Sequence, residues 1–265
     1  MPNLSSFETH TADYYDASVL GVLWVTTPEA VSELLPPPLE PMEMPLMLGF
    51  IARFPEVSFG TPYLMGGMFM FCKYKGEVGS YVLSAPETDD FPVFSGREVL
   101  GYPKKMAHLE LHEDGEKMWG HIERRGVRLF EIHANLDGKP NIPFGATVLS
   151  QLAGSADPST GKLPESDGIN FLFKYAHSAA SGKDFEWPPK LIRQVTRQRP
   201  KSVATGNAEI ILKPSPSDSP WGKVPVVEVL GAFHMISHNT MMEPSVLGEV
   251  DEKAFLPFSY LKYEW

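Results

Sequence analysis

Apolar and polar residues alternate along this chain mostly with the period of two that marks half-buried strands. Runs at residues 18–26, 44–54, 67–75 and 79–85 are apolar and separated by Pro and Gly, so each predicts a strand. Residues 105–113, 116–124 and 127–136 predict an antiparallel meander, turning at Asp114-Gly115 and at Arg125-Gly126. Later strands are expected at 170–176, 202–212 and 224–237. Helical signals are short. Thr27 can cap a helix with Pro28 in its first turn, stopped by Pro36-Pro37-Pro38, and residues 94–101 predict one or two helical turns. Residues 154–168 and 178–184 are rich in Ser, Gly and Asp and predict exposed loops. The pattern predicts a mostly antiparallel β (α+β) fold.

Composition narrows this to one domain, residues 1–265. A chain of 265 residues can bury one large core. Its 25 prolines, against a typical ~5 %, disfavour a bundle of long helices. A net charge of −10 argues against a nucleic-acid or anionic-membrane partner, which would require a basic face. Cys72 is the single cysteine, which excludes an intrachain disulfide and a cysteine-based zinc site. Residues 1–8 lack the basic start and apolar core of a signal peptide, and the longest apolar stretch, residues 63–72, is about half a membrane span. A soluble, cytoplasmic protein is expected, and in that setting Asn3-Leu4-Ser5 is no glycosylation site.

Candidate chemistry concentrates in Gly96-Arg97-Glu98-Val99-Leu100-Gly101-Tyr102-Pro103-Lys104-Lys105. A lysine attacks a carbonyl only as the neutral amine. With a reference pKa near 10.4, about one free lysine in 10³ is neutral at pH 7, so a strong downward shift gains up to roughly three decades of reactive amine. Adjacent strand residues point to opposite faces, so Lys105 alone cannot supply that shift, and burial must. Repulsion at about 6 Å is worth roughly 0.7 kcal/mol in water and about 3 kcal/mol at an effective dielectric of 20. Pro103 restricts the approach of the chain to Lys104.

The segment resembles the signature of the acetoacetate decarboxylase family: Gly-Arg-Glu, a few residues, an aromatic, then Pro-Lys-Lys. The likeness continues through Thr27 to Glu40 upstream, and downstream through residues 170–174, Thr205-Gly206, residues 225–229 and His234. It implies a cone-shaped β-barrel with short flanking helices, Lys104 as the Schiff-base residue and Lys105 as its neighbour. That family is the standard instance of an amine activated by desolvation or a cationic neighbour. With the motif come Glu98 as a further catalytic residue and Arg97, Arg53, Phe50, Met65 and Tyr102 as substrate-binding candidates. The resemblance has gaps. Where the family's decarboxylase carries an arginine and two glutamates, this chain reads Ala17, Phe50 and Leu64 or Met65, with Arg53 and Glu56 nearby as substitutes.

The expected activity is decarboxylation of a β-keto acid through a lysine iminium and enamine. Alternatives are aldol condensation with dehydration or cyclisation by the same lysine, and a non-catalytic barrel that only binds an apolar ligand. The expected partners are a small keto acid or other carbonyl substrate and further copies of the chain in a homo-oligomer, with no cofactor and no metal. His108, Glu110 and His112 share one strand face in a spacing that suits a metal, but nothing else in the sequence completes a site, so a polar outer face is expected. His234 and His238, about 13 Å apart on a strand, are read as structural. Residues 154–162 lack the phosphate-loop spacing, and no GxSxG elbow occurs. Met65 to Phe71 can line a pocket, though core filling is the default for such residues.

Overall fold

The computed structural model describes residues 11–154, 156–157, 159–215 and 220–262. Asn3 to Ser5 and part of the expected loop at 154–168 lie outside the described residues. Strand β1 (Ala12–Val25) leads into α1 (Pro28–Leu34), whose N-cap Thr27 accepts a hydrogen bond from the Ala30 amide at 3.2 Å. Then follow β2 (Glu40–Pro41), β3 (Leu46–Phe54), β4 (Glu56–Val57), β5 (Tyr63–Tyr74) and β6 (Glu77–Glu87). Helix α2 (Asp90–Ser95) runs into a π-helical turn at Gly96–Leu100. The short β7 (Lys104–Met106) precedes the meander β8 (His108–Asp114), β9 (Lys117–Arg124) and β10 (Val127–Asn135); the second turn is at Arg125-Gly126 as expected, while the first is at Gly115-Glu116, one residue on from the expected Asp114-Gly115, because Asp114 pairs with Lys117.

Helix α3 (Pro143–Ala153), β11 (Ser166–Lys174), β12 (Lys190–Leu212), β13 (Glu228–Met241), β14 (Ser245–Glu249) and α4 (Glu252–Phe255) complete the order. The expected strand at 202–212 is only the C-terminal half of β12. Its first half, Lys190 to Lys201, carries Arg, Gln and Lys at half-buried positions and Pro200 beside a register shift, which hides its strand character in the sequence. Helices α3 and α4 and strand β14 have no counterpart among the expected elements.

The strands run in the order β11-β6-β5-β3-β1-β13-β12-β10-β9-β8, and β11 pairs with both β6 and β12, so seven strands close a ring. All long pairings are antiparallel, while β6 pairs in parallel with β11 and with β7. The meander extends from β12 as a flap, and Leu109, Leu111, Met118, Ile122, Phe130 and Ile132 bury its inner face in the main core with Trp24, Met47, Ile51 and Trp221. Full burial of each such side chain contributes about 1.5–3 kcal/mol. A second apolar cluster, with Tyr14, Phe50, Ala52, Phe54, Phe69 and Tyr102, lines the inside of the ring. Among the described residues no helix is long and apolar enough to cross a membrane.

Candidate active site

The lysine strand is placed by a local device that the sequence encodes closely. Asp89 caps α2 by accepting from the Phe91 amide at 3.0 Å, and Thr61 Oγ1 donates to the same carboxylate at 2.8 Å. The helix then widens into the π turn, a rare element that concentrates at functional sites. Gly101 ends it with φ 87°, and a Cβ there would lie 2.4 Å from the Phe173 carbonyl oxygen. Arg97 Nη1 donates to the Lys104 carbonyl oxygen at 3.0 Å, tying the turn to β7. In β7, Lys104 pairs with Ala85 of β6 and Lys105 with Pro86.

Lys104 is buried, 5 % exposed, at the wall of a cavity of about 370 Å³, within the range of small-ligand sites. Phe50, Phe54, Met65, Phe69 and Phe71 supply apolar walls, and Tyr102 lies beside the amine, its ring centroid 5.3 Å from Nζ. Lys104, Tyr14, Tyr102 and Met241 also line a second cavity of about 160 Å³. The amine therefore stands between two spaces. At the polar side, Tyr102 Oη donates to Gln194 Oε1 at 2.9 Å, while Asn170 Nδ2 donates to Tyr102 Oη at 3.2 Å. This network fixes the phenol ring beside the amine.

The nearest ionisable partner is one the sequence analysis missed. Glu87 Oε1 lies 2.8 Å from Lys104 Nζ, and Glu87 is fully buried. Apart from Lys104, no described group donates a hydrogen bond to either of its oxygens. Burial raises the Glu87 carboxyl above its ordinary value, and the Lys104 charge opposes that rise without cancelling it. Tyr14, Tyr63 and Tyr102 surround the carboxyl, and burial holds each of these phenols protonated. Glu87 lies 17 positions before Lys104, and only the parallel β6–β7 pairing brings them together.

The expected site residues divide cleanly. Lys104, Tyr102, Phe50 and Met65 come together in the cavity wall, and Met65, not Leu64, faces it. Ala17 is buried in the cluster that forms this wall. Lys105 is also buried, yet it lines neither cavity, as strand alternation requires. Arg97 acts through its bond to the Lys104 backbone. Glu98 is exposed on the π turn and does not reach the amine's surroundings. Arg53 points out of the ring and donates to the Leu111 carbonyl at 2.6 Å, because Phe50, Ala52 and Phe54 take the inward positions of β3. Glu56 is exposed on β4. Neither Arg53 nor Glu56 lines either cavity. His234 Nε2 lies 2.9 Å from Ser18 Oγ.

Known proteins share this architecture and sequence pattern. The acetoacetate decarboxylase of Burkholderia cenocepacia is 27 % identical over 239 residues, covering 89 % of this chain and 87 % of its own. The crystal structure of acetoacetate decarboxylase from Legionella pneumophila superposes with a TM-score of 0.74 at 18 % identity, over 91 % of this chain and 88 % of that one. The enduracididine biosynthesis enzyme MppR, complexed with the condensation product of pyruvate and imidazole 4-carboxaldehyde, has the same fold at 13 % identity and a TM-score of 0.68, over 92 % and 91 % of the two chains. The family model for acetoacetate decarboxylase matches residues 1–250, so this chain belongs to the acetoacetate decarboxylase family, a family of lyase-like enzymes.

Proposed function

We propose that this protein is a carbon–carbon lyase that forms a Schiff base between Lys104 Nζ and the ketone of a β-keto acid bearing an apolar substituent, and decarboxylates it. The observation that carries the reading is the buried Lys104 amine in the wall of an apolar cavity, 2.8 Å from a carboxyl group that burial inclines to hold a proton. Neutral Nζ attacks the carbonyl carbon, and the carbinolamine oxygen takes a proton from Glu87 and leaves as water. The iminium then accepts the electron pair of the breaking C–CO2 bond, giving CO2 and a neutral enamine. A proton taken up from water ends on the enamine carbon, and hydrolysis of the new iminium returns ketone and free lysine, its released proton going back to the Glu87 carboxylate.

Substrate class follows from the walls. Lys104 is the one cationic side chain lining the larger cavity among the described residues, and it is consumed by the Schiff base. The remaining lining is mostly aromatic, Met and aliphatic, which suits an apolar tail better than a second anionic group. A second reading uses the same lysine to condense a 2-oxo acid with an aldehyde, and the volume of about 370 Å³, which leaves room for a second carbonyl partner, favours it. MppR, with a pyruvate condensation product bound, has the same fold. A homo-oligomer in the cytoplasm is part of the proposal, supported by the exposed Phe91, Phe94 and Val99 beside the lysine turn. Light scattering tests that.

The deciding experiment exposes the protein to a panel of β-keto and 2-oxo acids, follows CO2 release, and adds borohydride before mass spectrometry. A reduced adduct on Lys104 with CO2 release supports decarboxylation. An adduct without CO2 favours condensation. No adduct with any carbonyl compound would leave only a ligand-binding barrel.

A further inference from the structure

The outer face of the meander holds a second cluster, remote in its chemistry from the lysine. Alternation along β8 puts His108, Glu110 and His112 on one face, and the β8–β9 register sets His121 directly opposite Glu110. Glu110 Oε1 lies 3.1 Å from His108 Nε2, while Oε2 lies 3.0 Å from His112 Nε2 and 3.9 Å from His121 Nδ1. Donor atoms of His108, Glu110 and His121 all fall within 4.8 Å of one another. Ligands at 2.0–2.2 Å around a tetrahedral Zn²⁺ are themselves separated by roughly 3.3–3.6 Å, so small side-chain rotations bring this trio to bonding distance.

We propose that His108, Glu110 and His121 bind a divalent transition-metal ion of the Zn²⁺ class, with His112 orienting the carboxylate from outside the coordination sphere. Two imidazoles and one carboxylate suit Zn²⁺, whereas Mg²⁺ and Ca²⁺ take oxygen ligands. The ion takes the place of the direct contact between His108 Nε2 and Glu110 Oε1. His112 has the geometry of an outer partner: its Nε2 reaches the second carboxylate oxygen, and Trp119 stacks on its ring at 5.3 Å with 18° between planes. The nearby cation, Arg128, is occupied by Glu123 at 3.6 Å and Glu131 at 3.4 Å. The His108 side chain is 62 % exposed and that of His121 is 11 %, so the ion enters from the His108 side and water fills the remaining position.

The site also has a structural consequence. β8 ends the strand order, and an ion bridging it to β9 pins that edge. Only Ala107 separates β8 from β7, the strand carrying Lys104. The absence of a further ligand underlies the expectation of no metal. His121 is that ligand, supplied by cross-strand pairing that the sequence does not display.

The test uses the full chain, treated with chelator and returned to a non-coordinating buffer, titrated with Zn²⁺ by calorimetry and with Co²⁺ by visible absorption. The expected result is one ion per chain and the intense Co²⁺ bands of a four-coordinate site. His108→Ala and His121→Ala should each weaken binding by more than the ~10–100-fold cost expected for His112→Ala, and His238→Ala should leave it unchanged. Where His121→Ala does not fold, the exposed His108→Ala gives the same reading. Zn²⁺ should raise the melting temperature of the wild type but not of His108→Ala. Absence of saturable uptake, or unchanged affinity in His108→Ala, overturns the proposal.

Discussion

Glu87 Oε1 sits 2.8 Å from Lys104 Nζ with both side chains buried, so a proton can pass between that carboxyl group and the amine without crossing solvent. Dehydration of a carbinolamine needs such a proton. Glu87→Gln keeps the shape and the burial but removes the acid. The expected outcome is a fall in kcat of ~10²–10⁴-fold, with a borohydride-trappable adduct still forming slowly on Lys104. Single-turnover trapping rates check this, and an unchanged rate of adduct formation would remove Glu87 from the mechanism.

The same pair sets a pH dependence of stability. The folded-state Glu87 carboxyl is raised above its ordinary value of 4.5, mainly by burial, and the Lys104 charge restrains the rise. Lys104→Met removes that restraint. A carboxyl with a raised folded-state value contributes its full stability below pH 4.5 and loses it as pH climbs through the raised value. Lys104→Met should therefore lose stability as pH rises above 4.5, by about 1.4 kcal/mol for each pH unit until the carboxyl has ionised. The double variant Lys104→Met with Glu87→Gln, which has no carboxyl to titrate, should stay flat relative to it. Urea midpoints followed as a function of pH decide, and parallel slopes in the two variants would contradict the assignment.

The sequence makes the lysine turn and the meander readable because their signals are local. Pro103 and the lysine pair and the two Gly-containing turns each act over a few residues, and the structure has the lysine strand and the Arg125-Gly126 turn in place and the other turn one residue on, at Gly115-Glu116. Glu87 and His121 are invisible for one reason: both join their partners through strand pairing, β6 with β7 and β9 with β8. Arg53 is a different case. Alternation through Phe50, Ala52 and Phe54 already implies that position 53 faces away from the cavity, so the pattern outweighs a search for a charge to replace the missing ones. The long β12 is hidden because its first half is polar on both sides, and its strand character comes from neighbours β11 and β13.

Substrate size should follow the cavity. Phe50 and Met65 both line the space beside Lys104, and Phe50 packs edge-on against Phe69 at 5.1 Å. A small anion finds no second cation there. Acetoacetate should be turned over with kcat/KM under ~10⁴ M⁻¹s⁻¹, and β-keto acids with larger apolar substituents should exceed it by at least about 10-fold. Efficient use of acetoacetate alone would contradict this.

Gly96 offers the sharpest test of how the lysine is seated. It lies in the α region, where alanine is favoured over glycine by about 0.5–1 kcal/mol, so the backbone does not require glycine there. The side chain of Lys104 does. A Cβ on residue 96 would lie 2.6 Å from Lys104 Cδ and Cε and 2.9 Å from Nζ, well inside contact distance. Those atoms belong to a flexible side chain, so the clash is relieved by moving the amine and not by unfolding the turn. Gly96→Ala should therefore change the melting temperature by only a few degrees while lowering kcat/KM by at least ~10²-fold, the scale of loss that a misplacement of about 1 Å produces. The trapping rate on Lys104 should fall in parallel, since the displaced Nζ no longer stands at 2.8 Å from Glu87. Full activity in a folded Gly96→Ala protein would show that the seat of Lys104 tolerates this movement, and the close packing of Gly96 against the lysine would then have no part in catalysis.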